Sequence, residues 1–122
     1  ARYFLYKKGN YFMEARVLHD GRAIHFIPDT AITAGSVVVL GHLVGITKLD
    51  VAAGELGVLS LDGVYEMPKD ATALSTDDFA YWDQTNRKVG ANTTGTVVLG
   101  RVVSNATATD TMVQVRLEPA TP

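Results

Sequence analysis

The chain has three histidines, and a neutral imidazole can both ligate a metal and move a proton near neutral pH. His19 and His25 flank Asp20-Gly21 and would face each other across a hairpin. A metal there would also want a carboxylate, and Asp20 points into the turn, so these read as surface or hairpin histidines and no metal is expected. Ser36, His42 and Asp50 supply the residue types of a nucleophile–base–acid triad. The Gly-Xaa-Ser-Xaa-Gly elbow that would expose such a serine is absent. Asp77, Asp78 and Asp83 cluster, but paired-carboxylate chemistry needs two side chains facing across a cleft, and neighbours in a loop read as a solvated cap or turn. A phosphate-cradling loop ends in Gly-Lys, and the chain contains no Gly-Lys dipeptide, so ATP-driven recombinase chemistry has no support. Phe79, Tyr81 and Trp82 could stack on a base or a sugar; half-buried strand aromatics are the commoner meaning. With no cysteine, thiol nucleophiles, disulfides, zinc ribbons and iron–sulfur sites are excluded. No catalytic residues and no cofactor are expected, which favours a structural or binding role.

The elements that would position these residues are short strands. Tyr11–Leu18 and Ala23–Ile27 flank Asp20-Gly21, a pair suited to a type I′ hairpin in which both central residues take positive φ. Val37–Leu40 and Leu43–Ile46 flank a second reversal at Gly41-His42. Val51–Glu55 reads as a turn. Gly57–Leu61 and Val64–Met67 flank Asp62-Gly63, either as a hairpin or as one strand bulged at Gly63. Ala71–Asp78 is the one stretch that could hold a helical turn, capped by Ser75 or Thr76. Phe79–Asp83 is an aromatic strand, residues 84–96 turn and loop, Val97–Val103 a strand and Ser104–Thr111 a polar loop. Met112–Leu117 alternates, with Val113, Val115 and Leu117 on one face. The pattern predicts an all-β, small single-domain β-barrel or sandwich of about 8–10 short strands with at most one short helix. The expected core is Val37, Val39, Leu43, Ile46, Val58, Val64, Tyr81, Val98, Val102, Val113, Val115 and Leu117.

Composition agrees. The chain has 122 residues, enough for one domain with a real core, and 32 of them are Val, Ile or Thr, which suit strands. Hydrophobic residues make up 47% and charged residues 20%, against a disordered chain. Residues 1–25 carry a net charge of +3 on an otherwise acidic chain whose total is −2. Bulk charge therefore argues against nucleic acid as a partner, while a basic segment on an acidic body could meet an acidic protein surface. The most apolar stretch, Val37–Ile46, is too short to span a bilayer, so no membrane association is expected. No signal segment is evident; Ala1 is expected to follow a removed initiator Met, in a cytosol-like compartment or an assembly built there.

Six blocks, in order, carry a resemblance. They are Ala34-Gly35-Ser36-Val37 through Gly45-Ile46; Ala53-Gly54-Glu55; Leu61-Asp62-Gly63-Val64-Tyr65-Glu66-Met67-Pro68-Lys69; Tyr81-Trp82-Asp83 with Lys88-Val89; Leu99-Gly100-Arg101-Val102; and Val113–Leu117. Together, over residues 34–117, they resemble the DUF2190 family of small tailed-phage and prophage proteins, understood as capsid cement or head decoration proteins. Residues 11–33 would then be an extra hairpin, residues 1–10 an N-terminal arm or edge strand and residues 119–122 a tail. The resemblance implies a protein of the virion, assembled in the bacterial host cytoplasm. It would bind the outer surface of the expanded head, join capsomers of the major capsid protein, and sit as a homotrimer at threefold positions. The grip on the capsid is expected in the arm, at Tyr3, Phe4, Leu5, Tyr6, Lys7 and Lys8, whose main chain could add a strand to a capsid edge. The rival expectation is a small ligand-binding or enzymatic β-barrel using the Tyr81-Trp82-Asp83 region.

Overall fold

A computed structural model describes residues 15, 16 and 18–118. Among them nine strands form: β1 (Ala23–Phe26), β2 (Val37–Leu40), β3 (Leu43–Thr47), β4 (Gly57–Ser60), β5 (Val64–Pro68), β6 (Phe79–Asp83), β7 (Lys88–Gly90), β8 (Thr96–Val102) and β9 (Met112–Leu117). They make two antiparallel sheets, ordered β1-β4-β3-β2 and β5-β9-β8-β6-β7. The fold is all-β, a small sandwich whose sheets do not close into a barrel.

Gly41-His42 is the expected reversal. It joins Leu40 to Leu43 with only Gly41 left-handed, the φ pattern of a type II′ turn. Asp20-Gly21 departs from type I′, because Gly21 alone has positive φ. The second strand of that expected hairpin forms as β1 and pairs with β4. The first, Tyr11–Leu18, falls outside the described residues except for Ala15, Arg16 and Leu18, which are not in a strand. Asp62-Gly63 is neither hairpin nor bulge. β4 and β5 lie in different sheets, and Gly63, at φ 108°, redirects the chain between them.

No helix forms in 71–78, because its backbone groups have long-range partners. Leu74 and Ala106 exchange both main-chain hydrogen bonds, at 2.9 and 2.8 Å, and Asp77 N donates to Val102 O at 2.8 Å. The Asp78 carboxylate takes the Ser75 amide at 2.7 Å. β7 interrupts the stretch expected to be loop, pairing with β6 from Tyr81↔Gly90 to Asp83↔Lys88.

The core lies between the sheets. Val37 and Ile46 from one face Met67, Trp82, Val113 and Val115 from the other. β9 buries alternate residues as expected. Val37, Ile46 and Val102 are buried as expected too, whereas on β4, β5, β6 and the first part of β8 the expected face is off, and a one-residue shift exchanges the two faces of a strand. Leu59 is fully buried and Val58 is 51% exposed; Met67 is 3% and Val64 58% exposed. Trp82 and Leu99 are buried while Tyr81 and Val98 are half-buried. Leu43, on the hairpin, is 41% exposed. A bulge separates Ala80↔Gly100 from Tyr81↔Val98 and leaves Leu99 as the extra residue, aimed inward.

Candidate functional site

The residues singled out by type hold the fold together locally. Ser36 Oγ lies 3.2 Å from Thr33 Oγ1, and Asp50 Oδ1 accepts the Ala34 amide at 2.7 Å. His42 sits in the turn at the other end of β2, about 13 Å from Ser36 at the rise of a strand, so no triad forms. His19 Nδ1 accepts the Gly21 amide at 2.9 Å, and His25 pairs with Val58 on β4. Asp77, at φ 79°, bonds Arg101 Nη1 at 2.8 Å. Asp77 and Asp78 precede β6 and Asp83 ends it, so these carboxylates share no cleft.

Tyr81-Trp82-Asp83 does not form a binding face, since alternation along β6 sends its members to different places. Trp82 points into the core, 3% exposed, with the Arg87 guanidinium 5.2 Å from its ring centroid. Tyr81 takes the opposite side. Asp83 caps the turn into β7: its carboxylate accepts the Thr85 amide at 2.9 Å, the Asn86 amide at 3.2 Å and Asn86 Nδ2 at 2.8 Å. The Asn86 side chain, then the Asn86 main chain, hold the Asp83 carboxyl below the usual carboxylate range. A depressed folded-state pKa gives stability that is present above the unfolded value and lost as pH falls through the folded one. Asp83→Ala is therefore expected to reduce the melting temperature at pH 7 and to flatten its decline below about pH 4. Thermal melts across pH 2–7 check this; an unchanged acid limb would contradict it.

Lys69 is the residue that sequence reasoning missed. Its side chain is buried, 4% exposed, with no carboxylate beside it among the described residues. Its Nζ donates to the carbonyls of Asp70 at 2.7 Å, Thr107 at 2.9 Å and Asp110 at 3.1 Å. An ammonium has three N–H bonds, and three carbonyls satisfy them. The ion thereby clips the 104–111 loop to the end of β5. It was visible in the sequence only as the last member of the Leu61–Lys69 block.

A cleft of about 470 Å³ opens where β2 and β3 meet β5 and β6. Trp82, Met67 and Ile46 form its apolar part, with Lys48, Glu66 and Arg87 also lining it. Exposed apolar side chains lie elsewhere too: Ile27 and Leu56 flank Phe26↔Gly57, the last pair of β1 and β4. The expected grip residues, Tyr3, Phe4, Leu5, Tyr6, Lys7 and Lys8, lie outside the described residues.

Residues 18–117 match the model of a protein family described as phage cement protein. The chain belongs to the phage cement protein family. No curated protein and no solved structure matches it. The family match begins at residue 18 and so takes in β1 as well as the six blocks. Membership implies association with the phage capsid and suggests a component of the virion. Within the fold, Trp82 packs in the core, Asp83 caps the turn into β7 and Lys69 holds the 104–111 loop.

Proposed function

We propose that this cement protein binds the outer surface of the expanded phage head and holds neighbouring capsomers of the major capsid protein together, as a non-enzymatic structural component. The family match over residues 18–117 carries this reading. The narrower likeness to DUF2190 cement and decoration proteins, the engagement of the motif residues in hydrogen bonds and packing within the fold, and the exposed apolar side chains support it.

In this reading residues 11–118 form a single β domain with 34–117 as its family-like core, residues 1–10 an arm and residues 119–122 a tail. The protein, made in the host cytoplasm, sits as a homotrimer around threefold positions of the shell, where neighbours cover strand edges that would otherwise stay open. The arm grips the capsid protein through Tyr3, Phe4, Leu5, Tyr6, Lys7 and Lys8. Ordering an arm costs about 1–2 kcal/mol per residue, and burial returns roughly 25 cal/mol per Å2 of apolar surface. The net gain per copy is then modest, and many copies on a closed shell act jointly.

The test is to titrate the intact chain and a chain lacking residues 1–8 onto expanded heads, then heat them. The intact chain is expected to bind and to raise the temperature at which heads rupture. The shortened chain is expected to bind at least about tenfold more weakly, a loss of about 1.4 kcal/mol. Equal binding and protection by the shortened chain would remove the arm from the grip.

A further inference from the structure

The main-chain hydrogen bonds fix which groups of each edge strand remain open. Leu117 N donates to Gly63 O at 2.9 Å and Lys69 N to Thr111 O at 3.0 Å, bracketing the β5–β9 ladder. Bonded pairs alternate in an antiparallel ladder, so Tyr65 and Met67 bond to β9. Val64 and Glu66 then turn N–H and C=O to the free edge; Pro68 shares their parity, but there the edge meets β7, which bridges to it at Lys69↔Val89 with Asp70 N donating to Val89 O at 3.0 Å. A proline with this outward parity fits, because its missing N–H takes nothing from the ladder.

On β2, Thr47 N donates to Ser36 O at 3.1 Å, which by the same alternation turns the main-chain groups of Val37 and Val39 outward. The Val37 carbonyl is already taken by Arg87 Nη2 at 2.9 Å. On the remaining edges, β7 is bridged by Lys69 and Asp70, and β1 turns Ala23 and His25 outward, away from the cleft. That bridge also closes the Pro68 end of the β5 edge, so the Val64–Glu66 stretch of β5 is the more open part of the two edges that flank the cleft. The lining adds chemistry. Neither Lys48 nor Arg87 has a carboxylate within ion-pair distance among the described residues. Trp82 Nε1 is buried without an acceptor among them.

We propose that the cleft between β2 and β5 seats an extended, carboxylate-bearing segment of the phage shell protein, which adds to the free edge of β5 as a strand. The proposal rests on the capsid association proposed above. Main-chain bonding at Val64 and Glu66 supplies the affinity. Alternate side chains of the segment enter the apolar part beside Met67 and Trp82, and a carboxylate meets Lys48 and Arg87.

The experiment measures binding to expanded heads for the intact chain, for Glu66→Pro and for His25→Pro. Glu66→Pro removes an N–H that β9 does not use; His25→Pro does the same on the far edge, at β1. Hydrogen–deuterium exchange of the intact chain, free and head-bound, accompanies it. Glu66→Pro is expected to weaken binding at least about tenfold with its melting temperature nearly unchanged, while His25→Pro binds like the intact chain. In the intact chain, amides 64 and 66 are expected to exchange at least about tenfold more slowly on heads, and amide 25 at its free rate. Should Glu66→Pro fail to fold, the exchange result decides alone. Intact-like binding by Glu66→Pro, or unchanged exchange at 64 and 66 on heads, would overturn the proposal while leaving capsid association standing. Amides 64 and 66 protected in the free chain and released on deleting residues 1–14 would assign the cleft to the protein's own N-terminal segment, which also overturns it. Failure of the intact chain to bind heads would fell the capsid reading and this one with it.

Discussion

Lys69→Met is expected to destabilise the protein by about 3–5 kcal/mol, because three carbonyls lose their hydrogen bonds to a charged donor at once. Methionine keeps most of the volume and loses all three donors. The carbonyls of Asp70, Thr107 and Asp110 then face an apolar group, and the 104–111 loop loses its clip to β5. At about 4 °C per kcal/mol for a chain of this size, the melting temperature falls by roughly 12–20 °C. Lys69→Arg is also expected to fail, because a planar guanidinium cannot point three N–H groups at three converging carbonyls as an ammonium does. The single tryptophan, Trp82, buried in the core, reports the transition by fluorescence. A loss below about 1 kcal/mol for Lys69→Met would show that water replaces the ammonium at little cost, and the clip would not be structural.

Gly100→Ala is expected to do comparable damage by another route. A Cβ at this position runs into the main-chain carbonyl oxygen of Arg116 and comes within 2.9 Å of Glu118 N. These are backbone atoms of the neighbouring strand, so no rotamer change relieves the clash. Leu99 O and Glu118 N, which bond at 3.3 Å, would have to part, and the bulge that sends Leu99 inward would have to move. Overpacking in a core costs about 1–3 kcal/mol, and breaking the ladder adds to it, for a total of about 3 kcal/mol or more. Soluble yield and thermal melts check it; a variant as stable as the parent would mean that β8 and β9 can separate at this point without loss.

The sheets were legible where hydrophobicity alternates and where a turn residue is diagnostic. Met112–Leu117 shows its buried face directly, and Gly41-His42 can join its two strands only by a tight reversal. Unbroken apolar runs were harder: around Val58-Leu59 and Val97-Val98-Leu99 apolar residues occupy both parities, so nothing local decides which side is inside. The bulge beside Gly100 then shifts the register of β8 against β6. β7 was missed because Lys88-Val89-Gly90 is short and bounded by turn residues, and its pairing with β6 supplies what its own sequence lacks.

Function was legible as a family pattern more than as chemistry. The blocks quoted from the sequence fall within the matched span, yet what their residues do was hidden. Lys69 after a proline looks like a solvated cation until residues 38 and 41 positions further along supply its partners. The open stretch of the β5 edge is likewise a property of tertiary pairing; in the sequence only Pro68, which cannot donate to a ladder, points to an edge.

Whether this protein is part of the phage shell exterior is tested most directly by imaging expanded heads with and without it by electron cryo-microscopy. Added density is expected on the outer surface, three copies around each threefold position, into which the two-sheet body fits with the β2–β5 cleft toward the shell. Heads whose maps are identical with and without the protein would contradict a cement role on the shell.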